Sequence, residues 1–311
     1  MLITNLISSN ILGPTITGVL AYINAIDQNI NIGYSTVRAS LEREIPKLNA
    51  IKNDDEANKS ASTSFLISYL MFLVGSFFYF VLYLINDEIY IKLTCLFFIG
   101  INFLKALSDL LRIYHKSKLN FTSITITLLA VSIIQPILVF YAVNEYFLKG
   151  FLWSRIIIFS LSIILLIALL KEFPKLTIKL EIEYIKKLFI IGLPIVLFGI
   201  MTTLLITLDK FFIKVNLGDT SLGYYSIGAL IFQVILVLPQ SIFGAYFPKF
   251  ITYIGNKNEQ INKLNTLIRI IIIPVIFLSW IIIPVFIKLL LPDYIAGINS
   301  AKILILAAYF A

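Results

Sequence analysis

Asn24, Asp27, Gln28, Asn31, Ser35 and Arg38 follow one another at spacings of 3, 1, 3, 4 and 3 in an otherwise apolar stretch. Such spacing lines them along one face of a helix. Their chemistry is hydrogen bonding by amides, one carboxylate and one guanidinium, which suits polar or ionic cargo better than bond-breaking. Lipid satisfies none of these groups, so the stripe requires a partner helix or a water-filled cavity. Amide contacts between helices are the simpler use; a stripe running most of the helix favours the cavity.

Lys105, Asp109 and Arg112 form a second constellation, at i, i+4 and i+7. A charge costs about 2.5–3.5 kcal/mol at a bilayer centre, so Lys105 and Asp109 are not expected to face lipid. The two can pair at i, i+4, leaving Arg112 to reach the membrane edge. Arg155 is either a cavity residue or an interfacial anchor. Asp209 and Lys210 are adjacent, so one is expected to point inward and the other to the headgroups. His115 is expected in a short loop, solvated. The single Cys95 reads as a packing residue, with neither a disulfide framework nor a zinc spacing. No cofactor or metal is expected, and no loop is long enough for a catalytic domain, so the chain is not expected to be an enzyme.

What must position these residues is a set of membrane helices. Of 311 residues 59% are hydrophobic and 14% charged, with mean hydropathy +0.95, whereas soluble chains sit near a quarter charged. Apolar blocks predict helices over about 61–84, 89–112, 122–143, 148–170, 188–209, 222–245 and 267–288, with a more polar span at 15–37. Fragments 1–12 and 296–311 are too short to span and suggest a chain cut within a helix at each end. Pro136, Pro194, Pro239, Pro274 and Pro284 fall inside these helices, where kinks are expected. The loop at 42–60, with Asn53-Asp54-Asp55-Glu56, reads as a solvated turn.

Net charge is +8, but its distribution is more informative. Basic residues gather on one alternate set of loops, around Arg38–Lys59, Arg112–Lys118, Lys171–Lys187 and Lys249–Arg269, which carries 17 of the 25. Asn86-Asp87-Glu88, Asn144-Glu145, Gly218-Asp219 and Pro292-Asp293 mark the other set. The basic side is expected to be cytoplasmic. Lysines dispersed over short loops do not form a nucleic-acid patch, and no Lys or Arg precedes Arg38 as a signal peptide would require.

The chain also repeats itself. Leu12-Gly13-Pro14-Thr15-Ile16-Thr17-Gly18 aligns, 205 positions on, with Leu217-Gly218-Asp219-Thr220-Ser221-Leu222-Gly223. Ile26, Gln28 and Ile30 then fall on Ile231, Gln233 and Ile235. Seven identities in twenty positions exceed the two or three expected by chance, so the match reads as a duplication. After a three-residue slip, Ile45-Pro46-Lys47-Leu48 meets Phe247-Pro248-Lys249-Phe250. Six crossings separate the copies, so they should point the same way, as in transporters with parallel repeats. The second copy keeps Ser226, Gln233 and Gln240 on one face, and Gln28 and Gln233 are expected to offer amides to a shared central space.

Leu12-Gly13-Pro14 with Gly18, Leu208-Asp209-Lys210-Phe211-Phe212-Ile213, and Leu217-Gly218 with Leu222-Gly223-Tyr224-Tyr225-Ser226 carry a resemblance over essentially the whole chain. It resembles the bacterial polysaccharide repeat-unit (O-antigen and capsule) flippases, within the multidrug/oligosaccharidyl-lipid/polysaccharide exporter superfamily. The chain is shorter than the family pattern and is expected to be a truncated member. The resemblance implies an all-α polytopic membrane protein: two parallel-repeat lobes of six transmembrane helices, the second incomplete, around a central cavity. The lobes would be 1–171 and 188–311, joined by an amphipathic cytoplasmic connector at 172–187. It further implies a multi-pass protein of the bacterial cytoplasmic membrane that moves an undecaprenyl-diphosphate-linked oligosaccharide from the inner to the outer leaflet. Its partners would be that lipid-linked oligosaccharide, membrane lipids, and a polymerase with other polysaccharide assembly proteins, without nucleic acid. Amides for sugar hydroxyls and Lys or Arg for the diphosphate suit this cargo. The cavity candidates are Asn24, Asp27, Gln28, Asn31, Lys105, Asp109, Arg155 and Gln233. A drug or cation antiporter would want carboxylates to dominate the cavity, and a membrane polymerase or ligase a large outer loop. A structural scaffold in a polysaccharide assembly complex is a third alternative.

Overall fold

The computed structural model describes residues 2–50, 54–118, 120–170, 182–252 and 257–309. The described residues form α1 (Leu2–Ala50), α2 (Asp54–Ile85), α3 (Ile89–Ser117), α4 (Phe121–Ala168), α5 (Ile182–Thr252), α6 (Lys257–Leu290) and α7 (Ile298–Ala307), with a 3-10 segment Pro292–Gly297 before the last. Six of these are long and apolar enough to cross a membrane. The chain is an all-α polytopic membrane protein.

Three helices are interrupted by a single residue with positive φ: Gly13 in α1, Phe147 in α4 and Gly218 in α5. At Gly13 the interruption is a reversal. The Tyr294 hydroxyl lies 2.7 Å from Thr17 Oγ1 and donates to the Ser9 carbonyl at 2.9 Å. Ser9 and Thr17 are therefore within about 6 Å of each other, where a straight helix would hold them about 12 Å apart. The chain also folds back at Phe147, since a Cβ added at Gly150 would lie 1.8 Å from the Ala142 carbonyl oxygen. Seven helices with three such turns make ten rods among the described residues, and these correspond to the nine apolar blocks and fragments and the polar span of the sequence. The turn expected around Asn144-Glu145 is shorter than anticipated: helix runs to Tyr146 and resumes at Leu148. The loop expected at 42–60 is mostly helix too, since α1 reaches Ala50 and α2 begins at Asp54; Asn53 lies outside the described residues. So does most of the expected connector, from 171 to 181. Backbone angles remain helical at Pro136, Pro274 and Pro284, so glycine and one phenylalanine, rather than proline, break these helices.

Two compact units emerge. One comprises Leu2–Ala21 with Ile213–Ala311 and contains both copies of the repeated motif. Gly13 (φ 74, ψ 172) and Gly218 (φ 78, ψ −179) share one backbone conformation, which costs a side-chain-bearing residue dearly. The copies meet reciprocally. A Cβ at Gly18 would lie 1.9 Å from the Asp219 carbonyl oxygen, and one at Gly223 would lie 1.9 Å from the Pro14 carbonyl oxygen. Between them Thr15 and Thr220, equivalent positions of the repeat, share a hydrogen bond of 3.0 Å. Lys214 bridges the Gly218 turn to Asp219 at 2.5 Å. The apolar core of this unit joins Ile227, Ile231 and Ile235 of α5 to Ile272, Ile276, Ile283 and Ile287 of α6 and to Ala301 and Ile305 of α7.

The other unit, Tyr22–Phe212, holds the remainder of α1, all of α2, α3 and α4, and the arm 182–212 of α5. Ser108 and Ser162 pair at 2.9 Å, tying α3 to α4. His115 is not in a loop: it lies in α3, 1% exposed, with Nε2 2.9 Å from the Leu166 carbonyl oxygen. α3 runs on past residue 112, where the apolar block ends, and this extra turn carries His115 into a buried contact with α4 instead of a solvated loop. Cys95 is buried in packing, as expected.

Candidate functional site: a charged cluster in the Tyr22–Phe212 unit

The polar stripe of α1 finds its partners on three neighbouring helices. Asp27, 7% exposed, accepts from Lys105 Nζ of α3 at 2.6 Å and from the Tyr79 hydroxyl of α2 at 3.1 Å. Two donors thus converge on one carboxylate, as a buried charge requires. One turn earlier on α1, Asn24 Oδ1 accepts from the Arg155 guanidinium of α4 at 3.2 Å. The same guanidinium lies over the rings of Phe151 and Phe98, at 5.0 and 5.8 Å from their centroids. Flat faces of a weakly hydrated cation against aromatic rings lower the cost of holding it in the membrane. Phe98 in turn packs against Tyr79 with ring centroids 5.8 Å apart.

α3 supplies this cluster from one stripe, Phe98, Asn102, Lys105, Asp109 and Arg112, at alternating spacings of 4 and 3. Asn102 is 3% exposed and lies beside Tyr79, and neither amide atom has a partner within 3.5 Å among the described residues. Asp109 pairs with Arg112 on its own helix, not with Lys105 as expected. The i, i+3 partner wins because Lys105 is drawn to Asp27, where burial makes the attraction stronger. Two cations and one carboxylate leave the cluster of Asp27, Lys105 and Arg155 with one net positive charge. Lys105 is neutralised by Asp27, whereas Arg155 is held by a neutral amide and two rings.

Other candidates are distributed differently. Asn31 turns its amide back to the Asp27 carbonyl at 2.6 Å, and Gln28 and Gln233 are both exposed. The side chains of Ser35 and Arg38 lie outside the described residues. Asn29, on the opposite face of α1, donates to Thr207 Oγ1 of α5 at 3.0 Å and is interhelical glue. Tyr79, Phe98 and Asn102 were missed by sequence reasoning. Continuing the Lys105 stripe back by 3 and 4 residues would have found Asn102 and Phe98; Tyr79, in a run of aromatics, carries no such mark.

Residues 47–294 match the family described as polysaccharide biosynthesis protein. No curated protein sequence matches the chain. Among solved structures it is similar to one described as the inward-facing conformation of a multidrug resistance MATE family transporter of the MOP superfamily. The TM-score is 0.67 at 13% identity, over 98% of this chain and 74% of that one. At that identity the likeness is one of fold.

Proposed function

Since the chain belongs to the polysaccharide biosynthesis protein family, we propose that it is a flippase that carries a lipid-linked oligosaccharide across the bacterial cytoplasmic membrane for surface polysaccharide such as O-antigen or capsule. The observation that carries the reading is the net positive cluster embedded among membrane helices. A polar headgroup joined to an anionic diphosphate cannot cross hydrocarbon, and a guanidinium hydrogen-bonded to a neutral amide and laid over two rings is a natural place for that anion. Arg155 meets the diphosphate first, because Lys105 is already neutralised by Asp27. The amides of Asn24 and Asn102 suit hydroxyl groups. The parallel lobes, 1–171 and 188–311 about the connector 172–187, belong to this reading, with the polyprenyl tail left in lipid and lobe rocking exposing the headgroup to either side. Polymerase and other assembly proteins would then act on the cargo after its transfer, with no chemistry by this chain.

A cation antiporter is the competing use of such a fold. It would keep Asp27 open to a cationic substrate, whereas here Lys105 occupies that carboxylate. The test is complementation of a strain lacking its repeat-unit flippase. Arg155→Glu should abolish surface polysaccharide at normal membrane levels of the protein, and Arg155→Lys should retain much of it. Wild-type export by Arg155→Glu would reject the cationic-cluster mechanism.

A further inference from the structure

One buried cation has no place in the cluster above. Lys210 lies in α5 and is 7% exposed. Its neighbours on the same arm, Thr207 and Phe211, pack on α1: Thr207 takes the hydrogen bond from Asn29, and Phe211 meets the Tyr22 ring edge-on at 5.8 Å. At 3.6 residues per turn, Tyr22 and Asn29 occupy the face of α1 opposite to Asn24 and Asp27. α1 therefore has the Asp27 cluster on one side and the arm bearing Lys210 on the other.

The ammonium of Lys210 has no ion pair among the described residues. One turn further along the helix, Lys214 is held by Asp219. The adjacent Asp209 instead directs Oδ1 to the Lys210 backbone N–H at 2.7 Å, and adjacent helical residues do not face each other.

We propose that Lys210 is a second contact for the diphosphate of the cargo lipid, reached when its arm parts from α1, so that the diphosphate passes from Arg155 to Lys210 during the crossing. The proposal rests on the lipid-linked cargo argued above. A buried cation with no salt bridge among the described residues leaves its ammonium free to take a transient anion, and a diphosphate carries enough acceptor oxygens to meet two cations in turn.

The test uses the full chain in nanodiscs, with binding of a polyprenyl diphosphate compared with the neutral polyprenol and with inorganic pyrophosphate. Wild type should prefer the polyprenyl diphosphate to both. Lys210→Gln should weaken its binding about tenfold, leave polyprenol binding unchanged and be largely rescued by Lys210→Arg. Where the Gln variant does not fold, Lys210→Met keeps the apolar stem and should show the same loss. Wild-type affinity in Lys210→Gln or Lys210→Met, beside weakened binding in Arg155→Gln, would overturn the role of Lys210 while leaving the cargo intact. A wild type that does not prefer the diphosphate lipid to polyprenol would overturn the cargo reading itself. Equal affinity for inorganic pyrophosphate would reject a lipid-borne source.

Discussion

Replacing Gly18 with alanine puts the added carbon 1.9 Å from the Asp219 carbonyl oxygen. Carbon and oxygen in ordinary contact stay beyond about 3.2 Å, so the two backbones must part by about 1.3 Å. The listening partner is backbone, and no side-chain rotation relieves it. Thr15 and Thr220, about one turn away at 3.0 Å, would then separate beyond hydrogen-bonding distance. Overpacking of a tight contact costs about 1–3 kcal/mol and the lost hydrogen bond about 1 kcal/mol, together about 2–4 kcal/mol. Gly223→Ala should cost the same, because its carbon meets the Pro14 carbonyl oxygen at the same 1.9 Å. The double variant should cost less than the two singles added, since the first substitution has already opened the contact that the second requires. Melting in detergent reads this out at about 2–4 °C per kcal/mol. Gly100→Ala is the control: nothing lies within 4 Å of its added carbon, and alanine is the better helix former, so its melting temperature should hold or rise. If Gly18→Ala melts with the wild type, the two hairpins do not meet as described.

Two further outcomes follow from the same unit. Cysteines at Thr15 and Thr220, in a chain with Cys95→Ser, should cross-link on mild oxidation, and a mobility shift abolished by reductant detects it; failure to cross-link in the folded protein would contradict the pairing. Burial pushes the Tyr294 hydroxyl up to about 12 from its ordinary 10.0, so its stabilising effect is complete below pH 10 and is lost as pH rises from 10 towards 12. Wild type should therefore lose melting temperature across that window relative to Tyr294→Phe, while the two keep a constant difference below it; parallel curves throughout would refute the shift.

The fold was legible because lipid imposes simple rules. Apolar blocks of about twenty residues had to be helices, and the repeat at 12–30 and 217–235 marked which of them correspond. The turns were less so. Nothing distinguishes Phe147 from the many other phenylalanines until Gly150 is seen pressed on Ala142. At the charged cluster, cost arguments singled out Lys105 and Asp109 as groups that need company, yet they could not choose partners. Periodicity sees one helix at a time, so it proposed Asp109 for Lys105 and had no means of offering Asp27, 78 positions away. His115 shows the same blindness, since its carbonyl partner lies 51 positions on.

The bond between Thr15 and Thr220 joins positions that the repeat makes equivalent, and the contacts of Gly18 and Gly223 exchange places under the same operation. A contact with that property is isologous: each surface is its own complement. A half-length chain carrying only Leu-Gly-x-Thr-x-x-Gly would present to a second copy of itself what these hairpins present to one another. The geometry is that of a homodimer interface held inside one polypeptide, with position 15 of one copy meeting its equivalent in the other. Beside the axis the two halves differ. Pro14 is the equivalent of Asp219, and Asp219 has Lys214 as a partner where the first copy has Ser9. On the axis, threonine meets threonine.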